Sequence, residues 1–166
     1  MKSRAQVCLG LVLAAALAGG ITACDDSKSP TTPSDQSLYD KYGGAPTIRK
    51  VVDDAVTGVL ADPIVAPFFA VIGQPGHDSP ERLKSCLRLQ FTAVFGGPAT
   101  YPGRNDQGDM CEDMTTAHAD TGVTGPVFDR FITDLTGVLA ADGVSQADIS
   151  AVAPTLLGLK SQIVTR

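Results

Sequence analysis

The fold class is decided by the stretch Ile48-Arg49-Lys50-Val51-Val52-Asp53-Asp54-Ala55-Val56-Thr57-Gly58-Val59-Leu60. Its apolar residues recur at steps of three and four, which places them on one face of a helix. Asp62-Pro63 follows and predicts the end of that helix, because a proline disfavours helical backbone in the residue before it. The stretch therefore predicts an amphipathic helix with one face in a core.

Two more helices are predicted further along the chain. Ser79-Pro80-Glu81 combines an N-cap, a proline at the first helical position and a favourable acid, and this helix ends before Gly96-Gly97-Pro98. Gly125-Pro126 begins the other helix in the same way. The stretches 71–78 and 99–113 are irregular and rich in Gly, Pro and Asp. Long irregular loops inside a small helical domain often bind a ligand.

The last helix is predicted from Ser145 to Asp148, which resembles a capping box with Asp in place of Glu. Its inward-facing residues extend to Ile163. Pro154 lies inside this helix and predicts a kink near its first turns. No stretch alternates polar and apolar residues as a strand would, so the predicted fold class is all-α.

The first 23 residues have the composition of an export signal. Two basic residues precede the apolar run 7–18, which is too short to span a bilayer comfortably. Ile21-Thr22-Ala23-Cys24 then resembles the lipobox of bacterial lipoproteins, in which the signal is removed before a cysteine that becomes acylated. The alternative is an ordinary secretory signal cut after Ala23, with Cys24 left as a free thiol.

The residues after Cys24, up to Gln36, contain no apolar side chain that could join a core, and they predict a solvated tether. The predicted boundaries are a signal peptide at 1–23, a tether at 24–36 and a folded domain at 37–166. We expect an exported protein, anchored through lipidated Cys24 in the envelope of a bacterial cell, periplasm-facing or at the surface. Disulfides form in such an oxidising compartment.

The composition excludes several classes of function. The 18 acidic and 13 basic residues give a net charge of −5, and without the first 23 residues 11 basic residues remain and the charge is −7. This balance argues against a nucleic acid partner. There is no phosphate-binding glycine loop, no Gly-x-Ser-x-Gly motif and no Cys-x-x-Cys pair. The two histidines, His77 and His118, lie too far apart in sequence to favour a multi-histidine zinc or copper site.

His118 is the residue whose chemistry has to be weighed. It follows Met114 by four positions on a short helix predicted from Glu112 to Asp120. One interpretation is a surface histidine or a hydrogen-bonded core histidine. The other is an axial ligand to haem iron, which requires one imidazole in an apolar, mostly helical pocket. Periodicity alone does not separate the two.

A series of short motifs separates the two interpretations of His118. The order and spacing of these motifs resemble those of a truncated haemoglobin of the first group across residues 37–164. The motifs are 38–44, Ile48 with 51–54, 59–63, 67–69, 82–84, 95–98, 101–103 and His118 with 122–124. The resemblance implies a two-over-two helical sandwich around haem b, with His118 as the iron ligand. It implies binding of a diatomic gas (oxygen, nitric oxide or carbon monoxide). Nitric oxide dioxygenation or peroxidase-like turnover also occurs in the family, and needs a reductant that the sequence does not identify.

The resemblance also assigns the residues of the haem pocket. Phe69 matches the ring that stacks near the haem face, and Tyr101 matches an aromatic residue near the haem edge. The positions on the distal side, where the gas binds, are Val56, Leu83, Leu87 and Phe91. The positions on the proximal side, where the histidine lies, are Met114, Val123 and Phe128.

The chain departs from the family at two distal positions. Ala55-Val56 stands where the family often has Phe-Tyr, and Leu87 stands where a Gln often assists. Both residues that would donate a hydrogen bond to bound oxygen are therefore missing. Because bound oxygen carries partial negative charge, we expect weaker oxygen retention, with faster release or oxidation, and a smaller effect on carbon monoxide and nitric oxide. Gln90, one turn further on, could partly substitute.

Two residues could occupy the sixth coordination position of the iron. His77 lies in a loop that is longer than the family's usual turn, and is either a solvated residue or a distal ligand. Cys86 either provides a thiolate or forms a disulfide with Cys111, the other thiol of the folded domain. Such a disulfide would close a loop of about 25 residues.

A second class of function remains open at the level of sequence. The chain could be a haem-free relative that keeps the scaffold as an interaction module of the cell envelope. The missing distal donors favour this alternative, whereas the retained His118 and Phe69 argue against it.

Overall fold

The structure is a computed structural model that describes residues 36–166. The signal peptide, Cys24 and most of the predicted tether lie outside the described residues. The helices are α1 (Leu38–Lys41), α2 (Ala45–Ala61), α3 (Pro80–Val94), α4 (Met114–His118), α5 (Gly125–Ala141), α6 (Gln146–Gly158) and α7 (Lys160–Ile163), and a 3-10 turn (Ala66–Phe69) lies between α2 and α3. Residues 36–166 contain no strand, only an isolated bridge between Arg104 and Met110. No helix in this range is long and apolar enough to cross a bilayer.

The predicted helix boundaries are confirmed for α2, α3 and α5. The helix α2 ends at Ala61 with Asp62 as its C-cap. Ser79 caps α3, since its hydroxyl accepts a hydrogen bond from the backbone N–H of Arg82 at 3.1 Å. The helix α5 begins at Gly125, with a proline in its first turn.

The N-terminus of α6 differs from the predicted capping box. The Ser145 hydroxyl accepts from the Asp148 N–H at 3.2 Å, as expected. The N–H of Ser145, however, donates to the hydroxyl of Tyr42 at 2.9 Å, and that hydroxyl donates to the Asp148 carboxylate at 2.5 Å. Asp148 is one methylene shorter than the Glu of a capping box, and Tyr42 at the end of α1 bridges the gap.

The single helix predicted to reach Ile163 is two helices in the structure. The helix α6 continues through Pro154 and ends at Gly158, and α7 begins at Lys160. At the junction the N–H of Leu159 donates to Leu156, three residues back, so the last turn tightens. A glycine at the end of α6 favours such a break, because it gains least from helical backbone.

The charge of Asp148 links α1 to α6 and makes stability depend on pH. Lys41, Ser145 and Tyr42 all donate to this carboxylate and lower its pKa to about 2. Since the folded-state pKa lies below the unfolded value, the link stabilises the fold above about pH 4, and the stabilisation is lost as the pH falls toward 2. We expect Asp148→Asn to lower the thermal midpoint at pH 7 and to flatten its decline between pH 5 and pH 2, measured by circular dichroism. A parallel decline in the variant and the wild type would contradict this.

Two helix pairs enclose the core. The helices α2 and α3 pack on each other, as do α5 and α6, and the pairs meet where α2 contacts α5 and α3 contacts α6. The buried apolar residues of this core are Ile48, Val51, Val52, Ala55, Phe91, Phe95, Leu135, Leu139, Val144, Ile149, Val152 and Leu156. From the stretch 48–60, Ile48, Val51, Val52 and Ala55 thus lie in the core, whereas Leu60 at its end is exposed. The short helix α4 lies outside this core and packs against α7.

Candidate functional site

The orientation of His118 is fixed at the end of α4. Asp113 caps this helix through the N–H and hydroxyl of Thr116, at 3.0 and 2.9 Å. The Nδ1 atom of His118 lies 2.8 Å from the backbone carbonyl oxygen of Met114. A carbonyl only accepts, so Nδ1 carries the proton and Nε2 presents its lone pair. A histidine held in this way is prepared to bind a metal through Nε2.

An apolar cleft of about 150 Å³ lies between the C-terminal half of α2, the 3-10 turn and the start of α3. We call it the distal cleft. Its lining residues are Val56, Leu60, Phe69, Ile72, Pro80 and Leu83. None of these side chains can ionise or donate a hydrogen bond. A ligand in the distal cleft therefore meets hydrocarbon on every lining side chain.

Phe69 is positioned by the corner that follows α2. Oδ1 of Asp62 accepts from the N–H groups of Ile64 (2.7 Å) and Val65 (3.3 Å), and Oδ2 accepts from Nε of Arg130 at 2.5 Å. These bonds, with that to the Ile64 N–H first, hold the pKa of Asp62 below its usual range. The buried carboxylate thereby fixes the path of the chain into the 3-10 turn that presents Phe69.

The residues predicted on the proximal side are all buried, and one of them contacts α3. Met114, Val123 and Phe128 are 8%, 7% and 2% exposed. The side-chain amide of Gln90 lies 3.6 Å from the sulfur of Met114 and is itself buried. Gln90 is thus directed toward the α4 segment and does not line the distal cleft.

Two links hold α3 against the loop that leads into α4, and a third closes the loop on itself. Cys86 and Cys111 form a disulfide, with their Cα atoms 5.6 Å apart. Beside it, Nη2 of Arg82 donates to the carbonyl of Met110 at 2.7 Å. Near the other end of the loop, the Tyr101 hydroxyl donates to the Glu112 carbonyl at 2.6 Å. Burial, with the nearby charges of Asp113 and Glu112, raises the pKa of Tyr101 to about 12. The segment that carries His118 is therefore tied to the helix that borders the distal cleft.

The structure brings together only some of the residues that the sequence assigned to the pocket. Val56, Phe69 and Leu83 line the distal cleft. Phe91 is buried in the core, and Leu87, like Val56, is partly buried and packs against the core. His77 lies exposed in the loop before α3, and the sulfur of Cys86 is in the disulfide. Neither of these two lines the cleft.

Three lining residues were missed in the sequence: Leu60, Ile72 and Pro80. Leu60 had a sequence signal, because it belongs to the apolar series of the stretch 48–60. Only the structure shows that its side chain is 53% exposed. Pro80 was interpreted only as a helix start. Ile72 lies in an irregular loop, where periodicity gives no information.

Comparison with known proteins identifies the family. The family model described as "Bacterial-like globin" matches residues 37–164 of the chain. The chain belongs to the bacterial-like globins. This globin is similar to the group 1 truncated haemoglobins of Nostoc sp. (strain MUN 8820), at 30% identity over 78% of this chain and 98% of that protein, and of Nostoc commune, at 29% over the same shares.

Solved structures agree with this assignment. The globin is similar to the truncated haemoglobin from Tetrahymena pyriformis in its Fe(III) form, with a TM-score of 0.65 and 25% identity over 79% of this chain and 100% of that one. It is also similar to the 2/2 haemoglobin from Synechococcus sp. PCC 7002, described in the cyanomet state with covalently attached haem. There the TM-score is 0.64 and the identity 28%, over 79% and 100% of the two chains. The all-α fold and the predicted resemblance to group 1 truncated haemoglobins are confirmed.

Proposed function

We propose that this globin binds haem b through Nε2 of His118 and a diatomic gas on the opposite face of the haem. The observation that carries the proposal is the 2.8 Å contact between His118 Nδ1 and the Met114 carbonyl, which leaves the other ring nitrogen as a donor for iron. The related truncated haemoglobins are named for the same cofactor. When bound, the haem iron supplies a coordination position for the gas.

The residues of this chain hold the group and exclude water. Phe69, Val56 and Leu83 provide the apolar wall on the distal side, and the buried Met114, Val123 and Phe128 provide it on the proximal side. The distal cleft of about 150 Å³ is smaller than the roughly 300–1,000 Å³ of typical ligand pockets. Haem must therefore widen it on entry, and the exposed Leu60 lies where the cleft opens to solvent.

The experiment that tests this function is a haem titration of the purified protein. We expect a Soret band that saturates at one haem per chain, and a shift of that band when carbon monoxide is added to the reduced protein. Absence of a saturable band would favour the haem-free interaction module. The site chemistry favours the haem-binding globin, because an apolar cleft and an oriented imidazole have no evident use in a haem-free scaffold.

The gas has no hydrogen-bond donor among the distal residues. The cleft lining is hydrocarbon, and the amide of Gln90, the remaining candidate, is directed at Met114. A ligand that gains negative charge is not stabilised there. We propose weak oxygen retention, with carbon monoxide and nitric oxide less affected.

Val56→Tyr tests this account by restoring a donor to the distal cleft. We expect oxygen dissociation to slow by about 10- to 100-fold, because a hydrogen bond to a charged group contributes roughly 1.5–3 kcal/mol. Val56→Phe is the matched control, since it adds the same ring without the hydroxyl and should slow release much less. The measurement is stopped-flow displacement of oxygen by carbon monoxide. Equal rates in the two variants would show that the ring fills space and donates nothing.

We further propose that the sixth coordination position of the iron is left to the gas. Exposed His77 and disulfide-bonded Cys86 are not available at the distal cleft.

We also propose that the protein is a lipoprotein of the cell envelope. The lipobox-like sequence ending at Cys24 and the disulfide support export to an oxidising compartment. Metabolic labelling with a radioactive fatty acid tests the anchor, and Cys24→Ser should abolish the label. Nitric oxide dioxygenation or peroxidase-like activity, if the protein has either, requires an external reductant.

A further inference from the structure

A second cleft of about 170 Å³ lies between α2 and α3, and shares no lining residue with the distal cleft. We call it the α2–α3 cleft. Ala45, Ile48 and Leu89 form its apolar wall, with Ile48 only 4% exposed. Arg49, Arg88 and Thr92 also line it. The cleft thus combines a hydrocarbon surface with two guanidinium groups.

The charges of the α2–α3 cleft do not cancel. Arg88 pairs with Asp106 through Nη2 at 3.1 Å, and the buried hydroxyl of Ser85 also donates to that carboxylate. The Ser85 hydroxyl first, and then the charges of Arg88 and Arg49, hold the pKa of Asp106 below its usual range. Arg49 forms no ion pair with any residue in the range 36–166. The two guanidinium groups of the lining therefore share the one carboxylate of Asp106, and positive charge is in excess at the cleft, on a domain whose overall charge is negative.

An excess of positive charge beside an apolar wall favours a ligand with two parts. A carboxylate matches the planar donor fork of an arginine, and a hydrocarbon tail covers Ala45, Ile48 and Leu89. At about 30 Å³ per water molecule in the liquid, the cleft holds the equivalent of roughly five or six waters. That volume suits a short chain of about four to six carbon atoms.

We propose that the α2–α3 cleft binds a short-chain aliphatic monocarboxylate, with its carboxylate on Arg49 and its tail against Ala45, Ile48 and Leu89. The ligand is bound and not transformed, since the two hydroxyls of the lining are already engaged, Ser85 with the Asp106 carboxylate and Thr92 with the Arg88 carbonyl, and Asp106 itself is paired. The site is independent of His118 and of any haem. It gives the globin a second ligand site, on the side of α3 away from the distal cleft lining.

The proposal is tested by titrating the reduced, carbon monoxide-bound protein with hexanoate and recording amide shifts by nuclear magnetic resonance. Carbon monoxide occupies the iron, so that the carboxylate of hexanoate cannot bind there. If the purified protein contains no haem, the same titration is done on the haem-free protein. We expect saturable shifts at residues 45–49 and 88–92, with a Kd on the order of 1 mM for a ligand of about eight heavy atoms. Hexanol, acetate and inorganic phosphate should bind at least about tenfold more weakly.

Two variants separate charge from shape. Arg49→Gln removes the unpaired charge at an exposed position and should weaken hexanoate binding about tenfold. Ala45→Leu keeps every charge, fills the cleft, and should abolish the shifts. Arg166→Gln, at the C-terminus, removes the same charge elsewhere and should leave binding unchanged. Wild-type affinity in Arg49→Gln, equal binding of hexanol or phosphate, or the absence of saturable shifts would overturn the proposal.

Discussion

Replacing His118 by Ala is expected to abolish the stable binding of haem. The side chain is the one imidazole held by α4, with Nδ1 directed at the Met114 carbonyl. Loss of an outer hydrogen-bond partner of a metal ligand costs about 10- to 100-fold in affinity, and loss of the ligand itself should cost at least 100-fold. The measurement is the Soret absorbance during haem titration.

The chain offers a matched control, because its other histidine lies on the surface. His77→Ala removes an exposed imidazole from the loop before α3 and should leave the Soret band unchanged. Both variants should keep the helical circular dichroism signal, since Ala favours the helix that ends at His118 and His77 lies in a loop. Free imidazole should partly restore the band of His118→Ala by entering the space left there. Loss of the band in His77→Ala alone would assign the iron to His77 and overturn the proposed site.

Removal of the disulfide should have the largest effect on stability. The bond between Cys86 and Cys111 spans a sequence separation of 25 residues. Opening a loop of that length is worth about 3 kcal/mol in the chain-entropy estimate. For a domain of this size, Cys86→Ala with Cys111→Ala should lower the thermal midpoint by about 10 °C.

The expected consequence extends to the haem, because the disulfide ties α3 to the segment that leads into α4. We expect the double variant to release haem to an excess of apomyoglobin faster than the wild type does. All proteins compared should carry Cys24→Ser. The control is wild-type protein treated with a dithiol, which should match the double variant, whereas the dithiol should not affect the variant itself. An unchanged midpoint, or two free thiols in denatured, unreduced wild type, would contradict the prediction.

The sequence predicted the helices well where side-chain periodicity and end signals agreed. The face of α2, the cap at Ser79 and the start of α5 at Gly125 follow from local chemistry, which acts within a few residues. The capping box predicted at the start of α6 was partly wrong. The Ser145 N–H donates to the hydroxyl of Tyr42, about a hundred residues earlier in the chain, and not to the Asp148 carboxylate as the local pattern predicts. No local rule contains a partner so distant in sequence.

The residues assigned to the haem pocket from the sequence remain a prediction, and the structure shows only where each of them lies. Motif order assigned Val56, Phe69 and Leu83 to one side of a pocket, and these do line one cleft. The same reasoning placed Leu87 and Phe91 on this side of the pocket; in the structure Phe91 is buried in the core and Leu87 packs against it, outside the lining of the distal cleft. Positions on one helix face share a periodicity, and periodicity does not distinguish the core from the wall of a cleft.

The sequence by itself determined the helical class and the family, and it predicted His118 as the iron ligand, because these depend on composition, spacing and order along the chain. The tertiary structure alone decided which nitrogen of His118 is free, where Gln90 points, and that Cys86 is joined to Cys111. It also left Arg49 without an ion-pair partner among the described residues. These facts depend on which atoms of different helices and loops come into contact, and the packing of the whole domain sets the distances between those atoms.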